Sequence, residues 1–272
     1  MDKKLVRHSI QAIATLLQNA NFKGFLEGRI YQGPSKSVCV PGLNCYSCPG
    51  AVGACPVGSL QIYLSGLKFR LPYYVVGFLI FAGALLGRAI CGFLCPFGFL
   101  QDLIYMIPFF KKNEFRLDKY LRYFKYVVLV LFVLILPFCF KLTPFFCKYV
   151  CPSGTVAGIW LAAADSQIAD QLGPLFSLKL VILGLILTVS LIVYRPFCKY
   201  ICPLGAVYGL FNKVSLYRMH PDKSKCVGCK ACAKACKMNI DPSVNPNSCE
   251  CIRCGDCVKA CPHKALKMGV KD

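Results

Sequence analysis

The sequence predicts an α-helical membrane protein, with about four transmembrane helices in two pseudo-repeated hairpins, followed by a small C-terminal α+β domain. Three observations predict it. The 272 residues are 56% hydrophobic, with a mean hydropathy of +0.54, which is too apolar for an ordinary soluble domain of this length. Long apolar runs alternate with polar loops up to about residue 215. Beyond it the chain turns polar and cysteine-dense, so the domains are read as 1–215 and 216–272.

Three runs reach the roughly 20 apolar residues that a bilayer crossing needs. They lie near 71–90, 121–140 and 176–194. A fourth, near 6–27, is interrupted by Gln11, Gln18, Asn19 and Lys23. It reads as a span packed against the others, with an interfacial amphipathic helix as the alternative. The basic start, MDKKLVRH, leads to no small-residue cleavage site, so no cleaved signal peptide is expected.

Loop charge orients the runs. Between the second and third, Lys111, Lys112, Arg116 and Lys119 outnumber Asp102, Glu114 and Asp118, with Arg122 and Lys125 just beyond. After the third, Lys141 and Lys148 are balanced by Asp165 and Asp170. The positive-inside rule then places 91–120 and both termini in the cytoplasm, with 39–61 and 141–175 opposite. This makes the expected location the cytoplasmic membrane, multi-pass, with lipid as a partner and the tail in the cytoplasm. The net charge of +20 has two sources in this scheme, cytoplasmic-face Lys and Arg and compensation of anionic metal clusters. Nucleic acid is therefore not expected as a partner.

Twenty cysteines dominate the chemistry. The tail reads C226-V-G-C-K-A-C-A-K-A-C236 and then C251-I-R-C-G-D-C-V-K-A-C261-P, each C-x2-C-x2-C-x3-C. This is the doubled spacing of bacterial two-cluster ferredoxins, in which the fourth cysteine of each run ligates the other cluster. Cys226, Cys229, Cys232 and Cys261 then hold one [4Fe–4S] cluster, and Cys251, Cys254, Cys257 and Cys236 hold the second. Zinc sites do not need eight cysteines in this order. Cys249 falls outside the pattern and is read as a non-ligand.

The apolar part repeats a phrase of its own. C-P-x-G occurs at Cys55, Cys95, Cys151 and Cys202, once after each run, alternating between the two faces. Cys91, Cys95, Cys198 and Cys202 fall on the inner face and make a four-thiolate set. The outer set draws on more thiols than one cluster needs. Cys48, Cys55, Cys147 and Cys151 are favoured, with Cys39 and Cys45 as alternatives and a disulfide as a competitor on an oxidising face. Two clusters in the tail and two more between the helices are thus expected. Proline after the second thiol suits the first turn of a helix, and the glycine that follows allows backbone to approach the cluster, with N–H groups facing it. Cys139 is read as a buried apolar residue. Arg88 and Arg195, each three residues before a cysteine pair, either tune the inner cluster or snorkel to lipid phosphates.

Absences narrow the class. None of His8, His220 and His263 lies within a central run, so bis-histidine haem is excluded. No G-x-G-x-x-G after a strand and no P-loop is present, so no nucleotide site is suggested.

With CGFLCPFGFLQDL and FCKYICPLGA beside the doubled tail motif, the chain resembles the NapH/NosR-type membrane ferredoxins, and the CcoG-like proteins are similar. The resemblance implies electron transfer between cytoplasmic carriers and a membrane or extracytoplasmic partner. NapH-type members are associated with quinol oxidation, and NosR-type members carry an extracytoplasmic flavin domain. This chain lacks a flavin domain and adds the outer cysteine set. The expected function is therefore an electron conduit to an extracytoplasmic acceptor such as an FMN flavoprotein. The alternatives are a quinol dehydrogenase subunit, or a metal-reducing assembly factor or redox sensor. Whether the chain is an enzyme in its own right is left open.

Overall fold

The computed structural model describes residues 3–66, 72–112, 117–164 and 173–270. The chain begins with α1 (Lys3–Gln18) and the short α2 (Phe22–Glu27). The apolar run near 6–27 is therefore not one continuous helix. Asn21 breaks it: its side chain donates to the Pro49 carbonyl and its backbone N–H to Gly50, while the Asn19 side chain folds back onto Thr15. Short amide side chains compete in this way for backbone partners that a helix would otherwise use.

After a loop come α3 (Pro56–Ser65), α4 (Tyr73–Leu86), α5 (Ala89–Phe93) and α6 (Pro96–Met106). A continuous helix α7 (Asp118–Cys139) follows, then α8 (Pro152–Ala164) and α9 (Pro174–Ile192). The last pair in this part is α10 (Pro196–Tyr200) and α11 (Pro203–Phe211). Among the described residues α7 and α9 are long and apolar enough to cross a membrane. The equally apolar α4 has 14 residues, or about 21 Å at 1.5 Å per residue. Leu178, Val181 and Leu185 of α9 and Val127, Val130 and Phe138 of α7 face outward. Exposed apolar surface of this kind marks an interaction face, for another protein or for a membrane. Glu114, Arg116, Asp165 and Asp170, on which part of the charge argument rests, lie outside the described residues.

Each C-P-x-G glycine-turn phrase is a helix start. Pro56, Pro96, Pro152 and Pro203 open α3, α6, α8 and α11, where a missing N–H costs nothing and the fixed φ suits the first turn.

The tail pairs β1 (Tyr217–Pro221) with β2 (Leu266–Val270), antiparallel, from Tyr217 opposite Val270 to Pro221 opposite Leu266. Between them lie α12 (Ala231–Lys234) and α13 (Asp256–Ala260). The two cysteine loops bend alike. Gly228 and Lys230 in the first, and Arg253 and Gly255 in the second, all have positive φ. The same two positions in each motif are thus turned left-handed, with glycine taking one of them each time.

The second of these loops is fastened to the helical part. The Asn212 side chain donates to the Ser248 and Cys251 carbonyls, both at 2.8 Å. Arg253 donates to the carbonyls of Leu86, Tyr217 and Asn212. A side chain at Gly92 would stand 2.4 Å from the Ile252 carbonyl oxygen, so only glycine permits this approach.

Candidate metal centres

In the tail the fold gathers the thiols as two crossed sets. One cavity is lined by Cys226, Cys229, Cys232 and Cys261, and a second by Cys236, Cys251, Cys254 and Cys257. Cys226 and Cys229 are exposed, whereas Cys257 is buried and the second set faces the helical part.

Between the helices, Cys91, Cys95, Cys198 and Cys202 are all buried and lie within electrostatic reach of one another. Cys91 comes from α5, Cys198 from α10, and Cys95 and Cys202 cap the helices that follow. The Gly205 N–H donates to the Cys202 sulfur at 3.4 Å. Arg88 and Arg195 do not snorkel, because both are fully buried. They cross: Arg88 donates to the Cys198 carbonyl at 3.0 Å, and Arg195 to the Cys91 carbonyl. Each arginine thus fastens the loop of the other pair.

The outer thiols divide differently from the favoured expectation. Cys147 has Cys151, Cys55 and Cys45 within electrostatic reach, and Cys151 has Cys45 and Cys55. Cys48 lies within electrostatic reach of Cys45 and also faces Asn19, its sulfur 3.6 Å from the side-chain oxygen. Cys39 is held in a backbone bridge to Ala54. The thiols within reach of one another are thus Cys45, Cys55, Cys147 and Cys151, with Cys48 beside Cys45. All cysteines are free thiols. Cys139, read as buried, is exposed at the end of α7, on the side away from α3 and the buried Pro137.

Buried charge surrounds the inner thiols. Asp102 accepts from Arg195 and Gln11 and pairs with Arg7. Burial alone would raise its pKa, but Arg195 and Arg7 hold the carboxyl well below the usual range. Glu250, from the tail, pairs with Arg88 at 2.8 Å and with Lys125. Its carboxyl too is pushed up by burial and pulled further down by these cations. Asp118 pairs with Lys199 and Arg122. Six cations thus face three carboxylates, and a surplus of buried positive charge needs an anionic group to balance it.

These residues fit [4Fe–4S] clusters. Each set has four thiols and buried N–H donors, and the helical sets add cationic surroundings, as anionic thiolate-ligated clusters require. Among the described residues no three Cys, His, Asp or Glu are grouped tightly enough around one point for a single metal ion. A cubane holds its four thiolates farther apart, one on each iron, so that finding concerns single ions such as zinc alone. Asn212 and Glu250 were missed in the sequence. Their only signal is a lone polar residue in an apolar stretch (YGLFNKV) and an acid beside a cysteine run.

Comparison with known proteins gives the class. A 4Fe-4S binding domain family matches residues 71–114, 124–162 and 178–223, and a second 4Fe-4S binding domain family matches 219–240 and 250–267. An uncharacterized protein of Methanocaldococcus jannaschii is 30% identical over 161 residues, 57% of this chain and 53% of that protein. The methylamine utilization ferredoxin-type protein MauN of Methylorubrum extorquens is 28% identical over 188 residues, 68% of this chain and 55% of MauN. The regulatory protein NosR of Pseudomonas aeruginosa is 29% identical over 171 residues, 56% of this chain and 20% of NosR. The chain thus spans about half the length of the first two and less of NosR. No solved structure matches it. Sites and comparisons together show a chain built of 4Fe-4S binding domains, similar to ferredoxin-type proteins. Within that class it is a NosR/NapH-like 4Fe–4S protein.

Proposed function

We propose that the chain spans a membrane and conducts electrons between a cytoplasmic carrier and an acceptor on the opposite side. Its four thiol sets would act in line: Cys226/229/232/261, then Cys236/251/254/257, then Cys91/95/198/202, then Cys45/55/147/151. Bound [4Fe–4S] clusters would supply one-electron transfer at these positions.

The observation that carries this reading is the stretch Leu43-Asn44-Cys45. The Leu43 N–H donates to the Cys95 sulfur at 3.5 Å, and two residues later Cys45 belongs to the outer set. One short peptide therefore touches both helical sets. Clusters held only at the two surfaces of a bilayer would be about 30 Å apart, too far for efficient transfer, so a relay needs loops folded inward. Non-helical backbone at such depth is tolerated only where protein covers it, and Leu43 and Asn44 are buried. Tyr208 lies between the sets, fully buried, with its hydroxyl donating to the Pro41 carbonyl at 3.1 Å. At the other end, Arg88 ties the Cys198 carbonyl to the Cys249 carbonyl and Glu250 of the tail. The outward apolar faces of α4, α7 and α9 support the membrane reading. The direct test is whether reductant supplied on one side of a sealed proteoliposome reaches an impermeant acceptor on the other.

Electrons would be exchanged with the cytoplasmic carrier at the exposed first set. Lys225 and Lys230 line the cavity that holds Cys226 and Cys229, and they, with Lys223, Lys234 and Lys264 nearby in sequence, are exposed. A rim of this sign suits an acidic carrier and steers it over a Debye length. The transfer rate from such a carrier should fall as salt rises. Lys223→Glu combined with Lys234→Glu should slow it about tenfold at low ionic strength. Stopped-flow reduction would measure this, and a salt-independent rate would contradict it.

A second reading, quinol oxidation, is favoured by one feature. A cavity of about 320 Å³ opens beside Pro96 and Cys48 and is lined by Thr15, Asn19, Asn44 and Ser153 among apolar side chains. The buried Thr15 hydroxyl has no hydrogen-bond partner. An apolar pocket with a few converging polar groups is a common form of small-molecule site.

A further inference from the structure

The two helical thiol sets share a device that the C-P-x-G pattern alone does not show. Six residues after Cys55 and Cys95 stand Gln61 and Gln101, in C55-P-V-G-S-L-Q61 and C95-P-F-G-F-L-Q101. The other two copies carry Ala157 and Tyr208 at that position and are preceded by F146-C147-K-Y and F197-C198-K-Y instead. Each set therefore joins one glutamine half to one Phe-Cys half.

Both glutamines are fully buried, and their hydrogen bonds match group for group. The Gln61 amide oxygen accepts from the Phe146 N–H at 2.9 Å, and its nitrogen donates to the Val57 carbonyl and the Cys147 sulfur, both at 3.3 Å. The Gln101 oxygen accepts from the Phe197 N–H at 3.2 Å, and its nitrogen donates to the Phe97 carbonyl at 3.4 Å and the Cys198 sulfur at 3.2 Å. The amide orientation is fixed by these partners. Flipping it would set its NH₂ against a backbone N–H and its oxygen against a carbonyl and a sulfur, leaving buried groups unpaired.

We infer that Gln61 and Gln101 are positioning residues that each donate a hydrogen bond to one cluster-ligating sulfur, raising the reduction potential of the outer and inner sets separately. This rests on the ligand sets proposed above. Reduction adds negative charge, and an N–H donor aimed at sulfur favours the more negative state, so hydrogen bonds to the sulfurs move the potential upward.

The test uses the full chain, purified anaerobically with its iron, and a redox titration followed by electron paramagnetic resonance. Gln101→Glu keeps an oxygen for the Phe197 N–H but has no donor for sulfur. It should retain its iron and lower the potential of the inner signal, leaving the outer and tail signals in place. Gln61→Glu should lower the outer signal alone. Gln101→Leu and Gln61→Leu, which add no charge, should shift the same signals in the same direction. Full iron with unmoved potentials in all four variants overturns the inference. Iron of about eight atoms in the wild type, two clusters' worth, overturns the ligand sets beneath it as well. If the variants lose iron, the wild type labelled with ¹⁵N in the glutamine amide decides. Coupling of the reduced helical sets to a labelled amide is expected, and its absence refutes the donation.

Discussion

Cys45→Ser removes about four of about sixteen iron atoms, while Cys48→Ser leaves the iron content unchanged. The two residues are three apart in one loop, and the sequence favours Cys48. The fold places them side by side but gives them different neighbours. Cys45 shares electrostatic reach with Cys55, Cys147 and Cys151, whereas Cys48 reaches Cys45 and Asn19. Serine is nearly isosteric with cysteine, so loss of iron in one variant only would report ligation rather than loop collapse. Iron and sulfide analysis of the anaerobically purified variants measures it. Iron lost from Cys48→Ser and kept by Cys45→Ser would restore the set favoured from sequence.

Glu250→Ala should loosen the tail from the helices. The carboxylate is the tail's counter-ion to two buried cations, Arg88 and Lys125, neither of which is exposed. Removing one partner of a buried pair leaves uncompensated charge and costs about 3–5 kcal/mol. For a chain of this size that corresponds to a fall in melting temperature on the order of 10 °C. The melting of the clusters' visible absorbance would record it, and the linker between Asn212 and Tyr217 should become protease-sensitive. Asp222→Ala removes the exposed partner of Lys225 and should change almost nothing, since surface pairs contribute little. Equal melting temperatures for the two variants would show that the tail is held by its backbone contacts alone.

What could be read in advance followed local rules. The thiols within each tail run and within each C-x3-C pair at Cys91 and Cys198 are legible because the loop between them is too short to separate them, and the joining of runs and pairs follows from their repetition. Proline at each helix start was legible for the same reason. Cys45 was not, since it lies ten residues before Cys55 and its partners are set by a loop that folds onto Cys95. The first apolar run was read as one span, but Asn21 finds carbonyl partners 28 and 29 residues away at Pro49 and Gly50 for its side-chain and backbone N–H groups and ends the helix early. Arg88 and Arg195 read equally as cluster-tuning or lipid-facing cations, and the crossed loops that supply carbonyls for them are not visible in the sequence. Gln61 and Gln101 carried a signal, equal spacing after two of four repeats, that appears only when the repeats are compared position by position.

The most direct measurement of the relay is electron transfer across a sealed proteoliposome, with reductant enclosed and a membrane-impermeant acceptor outside. The wild type should reduce the acceptor. Cys151→Ser should abolish that transfer while the signals of the two tail sets stay intact. Transfer at the wild-type rate by Cys151→Ser would mean that the outer thiols are structural, and would shift the account to quinol oxidation at the cavity beside Thr15.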